Sequence, residues 1–168
     1  MIRFPALAAA AGLVALTGIN AIAADPLPTV TYKLLPAALS LEAAQAALAA
    51  CKAQGYNVTV SVVDRMGLAQ ILIVGDGASP TGRSLAPRKA YTSAVRRITT
   101  GELNKRVSVP GAFNPLLFDT NLVIERGGVP INVEKETVGG IGVSGAPGGE
   151  KDEACADAGI AKISDRLK

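Results

Sequence analysis

The chain has 168 residues, 49% of them apolar, with 17 Lys and Arg against 14 Asp and Glu, two Cys and no His or Trp. That length and apolar content suit one domain with a real core, and two cysteines are too few for a disulfide-scaffold miniprotein. The mild net charge of +3 argues against a nucleic-acid binder, and the missing imidazole removes Ser–His and Cys–His catalysis, His general bases and His metal ligands together.

Residues 1–23 read as a secretory signal peptide. Arg3 is the only charged side chain before Asp25, and the run Ala6–Leu16 and the segment Ala21–Ala24 follow it. Cleavage after Ala23 satisfies the small-x-small rule. The uncharged run is short for a membrane span, and no second long apolar run follows. No lipobox cysteine is present, so the expected location is the periplasm, with no membrane attachment after cleavage. The domain is then 24–168.

The segment Asp25–Pro36 contains three prolines and makes an extended lead-in. Ser40 is placed to cap a first helix, with Leu41, Ala44, Leu48 and Cys51 as its inward stripe and Gly55 as its end. Val58, Val60 and Val62 then switch to a period of two, which predicts a strand. Asp64–Gly67 is a turn, and Leu68–Val74 a second strand, closing an antiparallel hairpin. After a permissive Gly75–Gly82 loop, a second helix is expected to start between Ser84 and Pro87 and run towards Thr99. Asn104–Asp119 reads as mixed loop and short helix, broken by Pro110, Gly111 and Pro115. Leu122–Ile124 is expected as a short strand. Val129–Val133 and Val138–Ser144 form another hairpin. A last helix spans Glu150–Leu167, with Cys155, Ala156, Gly159, Ile160, Ile163 and Leu167 inward and its charges arranged to suit the dipole. This order is not the alternation of a parallel sheet. It predicts an α+β domain with an antiparallel sheet and helices packed on it.

Gly140-Ile-Gly142-Val-Ser-Gly145 matches a dinucleotide fingerprint in letters only. The fingerprint needs a helix and then a second parallel strand, and here the chain ends after the helix. The glycines instead let a helix, a ligand or another subunit approach the strand backbone. Arg83, Arg88, Lys89, Arg96, Arg97, Lys105 and Arg106 cluster with only Glu102 for balance, which reads mainly as a solvated helix face. Cys51 and Cys155 lie on inward stripes near the end of the first helix and the start of the last. Antiparallel packing of those helices in an oxidising compartment makes a disulfide; two buried free thiols are the alternative. No catalytic residue and no metal site is assigned.

Val58–Gly67, Arg88–Ala94, and Gly127-Gly-Val-Pro-Ile131 with Gly139–Gly145 and Asp152-Glu153 together resemble the GlcG/HbpS-like family of haem-binding or haem-degrading domains. The resemblance runs along nearly the whole expected mature chain. It implies a single profilin-like α+β domain, a homo-oligomer, and haem or a related anionic tetrapyrrole as candidate ligand. The family's lysine–alanine–threonine motif falls on Lys89, Ala90 and Thr92. With Tyr91, Gly140, Gly142 and Gly145 it implies a ligand groove between the second helix and the last strand. The chain departs from the family's haem sites in having no His. An axial ligand would be Tyr91, Met66, a thiolate, a threonine oxygen or water. Three readings stay open: a periplasmic oligomer that binds a tetrapyrrole, an enzyme on haem or a small carboxylate with Lys89 as base or clamp, and a structural or interaction oligomer without ligand.

Overall fold

A computed structural model describes residues 29–168. The expected signal peptide and the first residues after it lie outside the described residues. No helix among the described residues is long and apolar enough to cross a membrane. The elements are α1 (Ala37–Ala53), β1 (Thr59–Asp64), β2 (Ala69–Val74), α2 (Pro80–Arg96), α3 (Thr100–Val107), β3 (Gly128–Val133), β4 (Glu136–Ser144) and α4 (Gly149–Ile163). The four strands form one antiparallel sheet in the order β2-β1-β4-β3. The expected α+β class with helices on an antiparallel sheet is the class found.

Alternation along the strands sorts the sheet into two unlike faces. Val60 and Val62 of β1 and Ile141 and Val143 of β4 join a core with Ala43, Ala47, Cys51, Cys155 and Ala156 of α1 and α4. On the opposite face Val63 packs on Ala90 and Ala94 of α2. There Gly128, Gly140 and Gly142 lie side by side on β3 and β4. A Cβ at Gly140 would stand 2.5 Å from the Ala90 carbonyl, and one at Gly142 would overlap the Ala86 carbonyl and the Ala90 amide. The glycines therefore admit the backbone of α2, not merely its side chains.

The α1–α4 contact uses the same device. The buried stripe of α1 is Ser40, Ala43, Ala44, Ala47 and Cys51, while Leu41 is exposed and Leu48 only partly buried. The expected stripe is thus rotated by about one residue. Alanines turn inward because Gly159 brings α4 close, with the position of a Gly159 Cβ 2.5 Å from the Ala43 carbonyl. Cys51 and Cys155 are joined by a disulfide across this contact, with Cα atoms 5.5 Å apart.

Local chemistry corrects several expected boundaries. Pro36, not Ser40, precedes the first turn of α1, and the Ser40 hydroxyl instead donates to Gln70 Oε1 and Pro36 O. Ser79 caps α2 by accepting from the Gly82 amide, so the helix starts at Pro80 and Pro87 lies inside it. It ends at Arg96, with Arg97 in the left-handed region. Thr99 then caps α3, with Glu102 in the first turn. Leu122–Ile124 is not a strand. Val123 gives its amide to the Thr92 hydroxyl rather than to a ladder, and Leu122 and Val123 are buried as coil.

Two outcomes follow from these packings. Gly142→Ala should lower stability in urea by about 1–3 kcal/mol or more, as overpacking does; an unchanged midpoint would mean that α2 does not rest on the glycines. Reduction of Cys51–Cys155, which are 104 residues apart, should remove up to about 4–5 kcal/mol of chain-entropy stabilisation. Mass spectrometry of unreduced protein finding two alkylatable thiols would contradict the linkage.

Candidate functional site

The segment Arg88-Lys-Ala-Tyr-Thr92 lies on α2, and each of its side chains has a distinct role. Ala90 faces the sheet. Arg88, Tyr91 and Thr92, at spacings of three and four, share one side of the helix. Arg88 Nη2 donates to the Thr120 carbonyl at 2.7 Å and the Leu122 carbonyl at 3.1 Å. The Tyr91 hydroxyl donates to Asp119 Oδ2 at 2.9 Å. Thr92 Oγ1 donates to the Arg88 carbonyl and accepts from the Val123 amide at 3.0 Å. Together they staple residues 119–123 to α2.

Lys89 points the other way, through the protein. Its ammonium donates to Asp152 Oδ2 at 2.9 Å and to the Val143 carbonyl at 3.0 Å, and the two side chains of the pair are 3% and 5% exposed. Asp152, in the first turn of α4, reaches back to accept from the Ala146 amide with its other oxygen. Gly127, at φ +121°, leaves the space: a Cβ there would meet Asp152 Cβ and Lys89 Nζ. Burial pushes the Asp152 carboxyl above the usual carboxylate range, against the opposing pull of Lys89 and the backbone amides.

A groove of about 480 Å³ opens above this pair, lined by Gly82, Leu85, Arg126, Ser144 and Gly145 among others. This is where the expected Lys89–Gly145 groove falls, and the structure brings those two residues together. It does not bring in the rest. Thr92 is fully buried with its hydroxyl committed, and Gly140 and Gly142 are covered by α2. Nor is the groove cationic. Lys89 faces Asp152, Arg126 faces Glu153 through two bonds of 3.1 and 3.3 Å, and Glu125 adds a further carboxylate. For Lys89 to act as base or clamp, it would first have to leave Asp152.

Tyr91 lines a second groove, of about 320 Å³, on the outer side of α2, with Val95, Arg96, Phe113, Pro115, Phe118, Asp119 and Leu122. Phe113 and Phe118 stack with centroids 5.6 Å apart and an 11° interplanar angle, yet are 68% and 77% exposed. Leu117 and Val109 are exposed beside them in sequence. The Tyr91 ring is held on its other side by the β1–β2 turn, where Gly67 (φ +82°) leaves room that a Cβ would take from Tyr91 Cδ2. The hydrogen bond to Asp119 pushes the phenol above its ordinary pKa, with burial and the carboxylate's charge acting in the same direction. Sequence reasoning passed over Phe113 and Phe118, gave Asp119 no role, and read Arg96 as part of a solvated helix face. The available signal was that two of the chain's three Phe fall in one Pro- and Gly-broken loop.

Residues 35–161 match the family described as haem degrading protein HbpS-like. The chain belongs to the HbpS-like family. It is 34% identical over 116 residues to an uncharacterized 15.0 kDa protein from the dhaT–dhaS intergenic region of Citrobacter freundii, covering 65% of this chain and 81% of that protein. The fold matches the crystal structure of a double mutant of HbpS from Streptomyces reticuli with a TM-score of 0.75 and 37% identity, over 84% of this chain and 94% of that one. It also matches a complex of PduOC with haem, with a TM-score of 0.72 and 28% identity, over 78% of this chain and 96% of that one. The stretches that carried the resemblance to HbpS-like proteins are those that pack α2 on the sheet and bury the Lys89–Asp152 pair.

Breaking that pair leaves a buried carboxylate alone. Lys89→Ala should destabilise the fold by about 3–5 kcal/mol at neutral pH. Without the ammonium, the folded-state pKa of Asp152 rises further above its unfolded value. The protonated folded form is then favoured below that pKa, and this contribution is lost as pH rises through it. The gap between parent and variant, read from thermal melts, should therefore be widest near neutrality and narrow in acid. A gap independent of pH would refute the assignment.

Proposed function

We propose that this HbpS-like protein is exported to the periplasm and there, as a homo-oligomer, binds haem or a related anionic tetrapyrrole in the Tyr91 groove. The observation that carries this reading is the stacked, exposed Phe113–Phe118 pair beside Tyr91 and Arg96. An exposed apolar surface of this kind on a folded domain marks a binding site. A planar ring lies well along aromatic and aliphatic walls, and Arg96, with Arg97 next to it on the exposed end of α2, is placed to pair with propionates. The complex of PduOC with haem, on the same fold, supports the ligand class.

The donor set fits an oxygen-ligated or weakly ligated haem. There is no imidazole in the chain. The groove supplies apolar walls, one phenol and one guanidinium; bound iron would supply the ligand's visible absorption and redox chemistry. Export rests on Arg3 and the apolar run behind it, and the Cys51–Cys155 disulfide suits an oxidising compartment. Self-association is supported by exposed Val109 and Leu117, which do not line the ligand groove.

Titration of the purified protein with ferric haem should shift the Soret band with about one equivalent bound per protomer. Replacing Phe118 by Ala should weaken binding about tenfold, the scale of a lost aromatic contact, whereas Arg126→Ala in the other groove should not. Equal affinity in the Phe118 variant would move the site elsewhere, and no spectral change in the parent would sink the reading. A monomer by light scattering at micromolar concentration would remove the oligomer.

A further inference from the structure

Of the side chains expected as axial ligands beside α2, the structure leaves two. Both cysteines are consumed by the Cys51–Cys155 disulfide, so no thiolate is available. Thr92, the threonine of the α2 motif, is fully buried, and its oxygen already donates to Arg88 O and accepts from Val123 N. The chain has no His. What remains beside α2 is the Tyr91 phenol, which lines the groove of the stacked phenylalanines, and the Met66 thioether in the β1–β2 turn. Met66 is 67% exposed and is not among the residues lining that groove. A phenolate oxygen is a hard anionic donor suited to ferric iron, and a thioether is a soft one.

We infer that Tyr91 supplies its phenol oxygen as the axial ligand of a ferric haem bound along the Phe113–Phe118 wall. This rests on the tetrapyrrole reading above and makes it specific. Two contacts hold the phenol for the role. The ring is wedged against Gly67, where any side chain would collide with it, and the hydroxyl is aimed by its 2.9 Å bond to Asp119 Oδ2. Tyr91 would hold the iron through its phenol oxygen, and the O–H proton would pass to Asp119 Oδ2, 2.9 Å away, so that no second anion is left uncompensated beside that carboxylate. No oxidant or reductant is required. Asp119 is a positioning residue, since it touches the phenol and not the ring.

The test uses the full mature protein loaded with ferric haem. The parent should show a high-spin ferric spectrum with a phenolate-to-iron charge-transfer band, and resonance Raman excitation in that band should enhance tyrosinate ring modes. Tyr91→Phe keeps the ring against Gly67. It should lose the band and the modes, and weaken haem binding by about tenfold or more, the lower end of what losing even an outer-shell partner costs a metal site. Met66→Leu should change neither. A Tyr91→Phe protein that binds haem with the parent's spectrum overturns the inference while leaving the tetrapyrrole reading intact, and so does loss of the spectrum in Met66→Leu alone. A parent that binds no haem overturns both. Should Tyr91→Phe fail to fold, parent protein carrying ring-deuterated tyrosine decides: the enhanced modes must shift, and unshifted modes overturn the inference.

Discussion

The structure depends on a helix backbone lying directly on a sheet. Gly128, Gly140 and Gly142 leave no side chain between β3, β4 and α2, so α2 approaches until its own carbonyls meet the strand. Ordinary helix–sheet packing keeps a layer of side chains between the two elements. Here that layer is missing where α2 crosses the glycines and is present only at Val63 with Ala90 and Ala94, while the thicker valine and isoleucine core sits on the other face, under α1 and α4. The same economy of side chain recurs between Gly159 and Ala43, where α1 and α4 meet and the disulfide locks them. Small residues thus set both distances of the three-layer fold.

That close approach has a consequence for charge. A helix pressed so tightly on the sheet has no solvated flank at Lys89, whose side chain must run inward past Gly127 to the start of α4. There it meets Asp152, and the pair ties α2, β4 and the first turn of α4 into one unit. A buried pair adds little over an apolar contact of equal volume, but it demands a specific partner, because either charge alone is severely penalised. The motif is therefore a specification of how three elements dock. Arg88, Tyr91 and Thr92 perform the matching task on the outer side by fastening residues 119–123.

With the middle of its inner side spent on packing, α2 borders two grooves, one at Gly145 and one on its outer side. That side carries a phenol, a guanidinium and a stacked aromatic pair that the fold leaves in solvent. The groove at Gly145, by contrast, has each of its cations facing a carboxylate. Pairing, rather than size, separates the two: in the outer groove Asp119 is bonded to Tyr91, and Arg96 makes no ion pair among the described residues.

The sequence alone determined the α+β class, the hairpins and the pairing of Cys51 with Cys155 as the favoured outcome of two inward stripes. Those features follow from periodicity, which is a property of neighbours in the chain. It also carried the family, through stretches whose letters are fixed by close packing. Other signals are local but compete with stronger ones: Thr99 with Glu102 marks the start of α3, and Ser79 before Pro80 marks that of α2, but Pro87 competes as a first-turn proline. What only the tertiary structure decided was the direction each residue of Arg88–Thr92 faces. Lys89 and Arg88 are adjacent and both cationic, and no local rule sends one to a buried carboxylate and the other to loop carbonyls. That choice depends on Asp152, 63 residues away, and on the absence of a Cβ at Gly127. Both are long-range contacts, which periodicity along the chain does not encode.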